Sequence, residues 1–86
     1  MSNGQNAPAP EYGTIEYYDT VPNFWDNCDK VQEWLEAHPG RLYNCSTIKR
    51  GAKVEGNVYQ VLNYLDDHKY IAADGNGAWR KYAARR

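Results

Sequence analysis

Between residues 58 and 83 the spacing of apolar residues changes period, and this change constrains the fold more than any other feature of the chain. Val58, Val61, Leu62 and Leu65 recur at intervals of three and four, which puts them on one stripe of a helix. Asp74-Gly75-Asn76-Gly77 then separates two β-forming runs, 69–73 and 78–83, and contains both DG and NG turn signals. A helix and a hairpin in immediate succession each have one apolar side to bury, so further elements must cover them.

Those elements are expected upstream. Phe24, Cys28, Val31 and Leu35, with Trp34 beside them, predict a helix over 25–38. Asp26 caps or enriches its first turn and Pro39-Gly40 ends it. Residues 41–43 read as a short extended link or a one-bond strand. Asn44 or Ser46 can cap a second helix over 46–52, in which Ile48 and Ala52 lie four apart and Val54 follows across a turn. The third helix begins near 55–57 and ends at Asp66-Asp67-His68. Residues 1–11 are small or polar with two prolines, and are expected to be disordered. Residues 12–23 read as an extended arm or short strand, and 24–86 as one domain.

The chain of 86 residues is too short for a doubly wound nucleotide fold, a TIM barrel or a multidomain enzyme. It has no run of eighteen apolar residues, so no membrane span is expected. The opening MSNGQNAPAPEYG lacks a basic and an apolar region, so no signal peptide is expected and the location is read as cytoplasmic. Cys28 and Cys45 are the two thiols, seventeen residues apart and without a CxxC pair. With His38 and His68 they match no zinc spacing, and no metal or other cofactor is expected. A Cys28–Cys45 disulfide would be unusual in a reducing cytosol. No Gly-rich phosphate loop is present, and nothing in the spacing of the thiols, histidines and acids makes them converge, so the chain is read as non-enzymatic.

The stretch I48-K-R-G-A52-K-V54-E-G-N-V58-Y-Q-V61-L62-N-Y-L65-D-D-H-K-Y-I71, followed by the Gly-rich turn and a strand, resembles the winged helix-turn-helix superfamily. The resemblance covers residues 24–84. It implies an α+β fold of three helices followed by a two-stranded β-hairpin wing, with the third helix reading DNA. In this alignment Ile48, Ala52 and Val54 pack the second helix on the third, Ile71 anchors the first wing strand, and Trp79 or Tyr82 anchors the second. Lys49 stands where a small residue is usual, Lys53 where the turn glycine is common, and Glu55 where a Ser or Thr often caps the third helix.

The distribution of charge points the same way. The whole chain carries a formal charge of -1. Residues 1–38 hold seven acids and one base, for -6, while residues 39–86 hold four acids and nine bases, for +5. The basic part overlaps the third helix and the hairpin. The buried stripe leaves Asn57, Tyr59, Gln60 and Asn63 outward, with Tyr64 outward or half-buried, and a helix fits the major groove, where Asn and Gln can bond to adenine edges. Lys49, Arg50 and Lys53 suit flanking phosphates, as do Lys69, Arg80, Lys81, Arg85 and Arg86. Asn76 with its two glycines would bring hairpin backbone close to a groove.

The expected function is therefore a double-stranded DNA-binding protein, a small transcription regulator or a phage or mobile-element architectural factor. It would act as a homodimer or as adjacent copies, because one copy offers few cations. The rival reading is a protein-interaction module whose acidic face, Asp19, Asp26, Asp29, Glu33 and Glu36, meets a basic partner.

Overall fold

The computed structural model describes residues 9–85. Four helices are present among them: α1 (Ile15–Asp19), α2 (Phe24–Ala37), α3 (Cys45–Ala52) and α4 (Val58–Asp67). Three strands, β1 (Tyr43–Asn44), β2 (Ile71–Asp74) and β3 (Lys81–Ala84), form one antiparallel sheet in the order β1-β3-β2. A 3-10 turn, Gly77–Trp79, separates β2 from β3.

The expected order of three helices followed by a two-stranded hairpin is not what the chain forms. A fourth helix, α1, precedes the others, and β1 lies between α2 and α3 as a third strand. This topology departs from the winged helix-turn-helix arrangement that the resemblance implied: the described residues form a small α+β domain of four helices and a three-stranded sheet. Both differences have local causes. Thr14 accepts the Tyr17 amide through its Oγ1 at 3.1 Å and so caps one turn of helix, within the stretch read as an extended arm. The turn is held from the side by Tyr18, which is buried and stacks on Phe24 at 4.2 Å. β1 exists because β3 has a second free edge, where Tyr43 and Asn44 register opposite Tyr82 and Lys81.

The three expected helices form close to their predicted bounds. α2 buries Phe24, Cys28, Val31 and Leu35, and starts after Asn23 in the left-handed region (φ 62°) without a side-chain cap. Asp26 therefore lies in the first turn and does not cap. Asn44 caps α3 by accepting the Thr47 amide at 2.9 Å. Lys53, at φ 59°, closes it in the conformation that a glycine would adopt more readily. Asn57 caps α4, accepting the amides of Tyr59 at 2.9 Å and Gln60 at 3.3 Å.

Two contacts lock the helices together. The Asn27 side chain, only 2% exposed, donates to the Glu55 carbonyl at 2.8 Å and ties α2 to the α3–α4 turn. Gly51 lies under the indole of Trp34, where an added Cβ would come within 2.4 Å of the ring. That absence of a side chain sets how closely α3 approaches α2. The core runs from Phe24 and Leu35 through Ile48 and Leu62 to Ile71 and Tyr82. The disorder expected of residues 1–8, like the phosphate contact expected of Arg86, lies outside the described residues.

Candidate nucleic-acid interface

α3 buries Ile48 and Ala52 and turns Ser46, Lys49, Arg50 and the capping Lys53 outward. The stripe follows from helical spacing: the core takes positions four apart, and the residues between them face water. Lys49 reaches across the turn and donates to the Gly56 carbonyl. Arg50 and Lys53 form no ion pair among the described residues, where the pairs are Lys30–Asp26 and Arg80–Asp66. Between the first turns of α3 and α4 lies a groove of about 320 Å³, lined by Cys45, Ser46, Lys49, Gly56, Asn57 and neighbouring side chains.

The outward residues of α4 differ in what they bond. Gln60 donates to the Tyr17 hydroxyl at 2.9 Å, so its amide is engaged toward α1. Tyr64 is buried, edge-on to Phe24 and Trp25. Tyr59 and Asn63 are exposed, Asn63 one turn on from Gln60. Asp66 continues their row and holds Arg80 of the hairpin. Tyr59 is 60% exposed, and its pKa is pushed up by a hydrogen bond with the Cys45 side chain. Cys45 follows Asn44, which registers opposite Lys81. Tyr59 and the first turn of α3 thus line one groove, with β1 and its partner β3 next to Cys45.

Of the residues predicted from sequence, the groove brings together Lys49, Asn57 and Tyr59, while Arg50, Lys53, Asn63 and Lys81 are exposed without a contact that joins them to it. Asn57 has its side-chain oxygen committed to capping. Asn76 is exposed at the hairpin tip, its carbonyl accepting the Trp79 amide at 3.0 Å. Gln60 does not line the groove. Arg80 is not a free cation, since its guanidinium bonds Asp66, and that bond raises its pKa.

Trp79 takes a place the sequence left open. Tyr82, at 3% exposure, is the inward anchor of β3, while Trp79 is 83% exposed. Aromatic side chains bury roughly 150–250 Å² each. At about 25 cal/mol per Å², an indole left this far out forgoes about 3–5 kcal/mol of burial. Ser46 and Cys45, which line the groove, are further contributors that charge-based reading passes over.

Acids are frequent on the first two helices. Glu16 and Asp19 on α1, with Asp26, Asp29, Glu33 and Glu36 on α2, are all exposed. Beside them an aromatic shelf runs from Tyr12 through Tyr18 and Trp25 to Tyr64, His68 and Tyr70. Among the described residues no group of three or more His, Cys, Asp and Glu side chains is placed to hold a metal ion. No helix of the described chain is long and apolar enough to cross a membrane. No protein-family model, curated protein or solved structure matches the chain.

Proposed function

We propose that the protein binds double-stranded DNA without catalysing a reaction, through the surface formed by α3, the first half of α4 and the hairpin. The carrying observation is the set of unpaired cations. Lys49, Arg50, Lys53 and Lys81 are exposed and have no ion-pair partner among the described residues; Lys49 shares a groove with Tyr59, and Lys81 registers opposite Asp74. Glu16 and Asp19 lie on α1, while Glu33 of α2 reaches the side of α3, lining a shallow pocket with Gly51 and Ala52. Phosphates supply most of the affinity for such a surface and base edges the selectivity. Asn63 is the group best disposed to read a base edge, because Gln60 is bonded to Tyr17 and Asn57 caps α4. One copy offers few cations, so function would require a homodimer or adjacent copies on the duplex.

The test is fluorescence anisotropy with random and selected duplexes across a salt series, with oligomeric state measured alongside. Log affinity should fall linearly with log salt, by about 0.9 for each phosphate neutralised. Binding that ignores salt, or no binding at low salt, rejects the reading.

A second reading rests on the aromatic shelf beside the acids. Trp25, His68 and Tyr70 are solvent-facing there, and such a surface suits a cationic protein partner. A partner complex that survives DNase, from a protein that does not shift DNA, would favour it. Whether the role is regulatory or architectural follows from how the bound duplex is deformed.

A further inference from the structure

Trp79 stands alone at the end of a narrow, braced support. The residues leading to it, Gly75, Asn76, Gly77 and Ala78, carry small or short side chains, so the indole is the one bulky group at the tip. It packs against no other ring among the described residues, and its 83% exposure leaves both faces accessible. The support behind it is tight. The Trp79 amide donates to Asn76 and the Arg80 amide to Gly77, closing the 3-10 turn. Gly75 (φ 89°) passes so near that an added Cβ would lie 2.8 Å from the Trp79 carbonyl. Arg80 is fixed to Asp66 of α4, and Tyr82 is sunk in the core. A flexible tip would let the ring fold back onto the protein, whereas this one holds it outward.

Resting on the DNA reading above, we infer that Trp79 is a wedge whose indole inserts at a base step from the minor groove and bends the bound duplex. The minor groove is about 6 Å wide, which admits a tip of glycines and short side chains but not a bulky loop. Apolar side chains inserted there unstack a base step and kink the helix toward the major groove. Lys81 follows two residues later and is exposed, so a cation accompanies the ring toward the phosphates. The indole is neutral. Its contribution must therefore appear in affinity and bending, and not in the number of counterions released.

The experiment compares the parent with Trp79→Ala and Trp79→Phe on an end-labelled duplex, reading affinity by anisotropy and bending by energy transfer between the ends. Circular dichroism checks that both variants fold. Trp79→Ala should lose tenfold or more in affinity, keep the salt slope, and leave the duplex straight, while Trp79→Phe keeps part of the bend. Parent-like binding and bending by Trp79→Ala overturns the wedge and leaves the DNA reading standing. A fall in affinity with no bend in the parent complex also overturns it, as does a preference of the parent for single strands. A parent that binds no duplex at low salt removes the DNA reading itself.

Discussion

Trp25 and Trp79 are held in opposite ways. Trp25, on α2, donates its indole N–H to Asp19 at 2.8 Å and meets Phe24 and Tyr64 edge-on at 4.9 and 5.2 Å. Trp79 has none of these restraints and is more than twice as exposed, at 83% against 36%. The α1–α2 region uses its aromatics for cohesion and pairs its lone cation, Lys30, with Asp26. The α3–α4 and hairpin region leaves cations and an indole unsatisfied on a frame of caps, glycines and one ion pair. Residues that fold the protein and residues available to a ligand are thus largely separate, and substitutions should sort accordingly.

The largest effect on the cohesive side is expected from Phe24→Ala. Phe24 is 2% exposed and stacks on Tyr18, so truncation should cost about 3–5 kcal/mol of stability in denaturant unfolding. DNA affinity per folded molecule should not change. A loss of affinity without a loss of stability would break the separation.

In the other region, replacing Lys49, Arg50 and Lys53 together by Ala should leave the unfolding midpoint nearly unchanged. Binding should weaken across unrelated sequences, with the salt slope reduced by about one unit for each phosphate no longer neutralised. An unchanged slope would place the electrostatic surface elsewhere. Gly51→Ala tests where the two regions meet. Its Cβ would press into the Trp34 ring, which stacks on His38 at 4.2 Å and meets Tyr43 at 4.8 Å, so the ring has little freedom to yield. Overpacking of this kind costs about 1–3 kcal/mol, and it should shift the unfolding midpoint of the whole domain. A neutral outcome would mean that α2 and α3 are not held at the observed distance.

The division was only partly visible in the sequence, for physical reasons that differ by element. α2, α3 and α4 have enough turns for a 3.6-residue stripe to repeat, so their positions could be read from Val31 and Leu35, Ile48 and Ala52, and Val61 and Leu65. β1 is two residues long and has no period, so the sequence offered a one-bond strand at 41–43 only beside a plain link, and the edge of β3 that decides for the strand comes nearly forty residues later. α1 is a single turn of Ile and Tyr, and Thr14 with the Phe24 contact decides its conformation against local preference. The outward cations of α3 were readable from spacing alone. The commitments of Gln60 to Tyr17 and Arg80 to Asp66 were not, because each partner is distant in the chain. The added strand and helix also show why a motif confined to residues 48–71 did not determine the topology around it.

The two thiols give the finest comparison of the regions. Cys28 is 4% exposed on the cohesive side, where burial, with a smaller contribution from Asp29, pushes its pKa up to about 12. Cys45 is half-buried at the groove. Iodoacetamide at pH 8 should modify Cys45 in the native protein and reach Cys28 only after unfolding, since the thiolate is the reacting species. The same shift has a sign for stability. An unfolded thiol loses its proton near pH 8.5, while folded Cys28 keeps it to about 12. The unfolded state thus binds fewer protons in this window, so stability is complete below about pH 8 and declines as pH rises toward 12. Burial raises the pKa of Tyr18, Tyr64 and Tyr82 as well, which adds a decline of the same sign at higher pH. Cys28→Val should flatten the loss between pH 9 and 10, before the tyrosines contribute, as measured by urea midpoints. Equal alkylation of both thiols at pH 8, or a midpoint that rises through this range, would show that α2 opens to solvent and that the cohesive region is no more closed than the binding face.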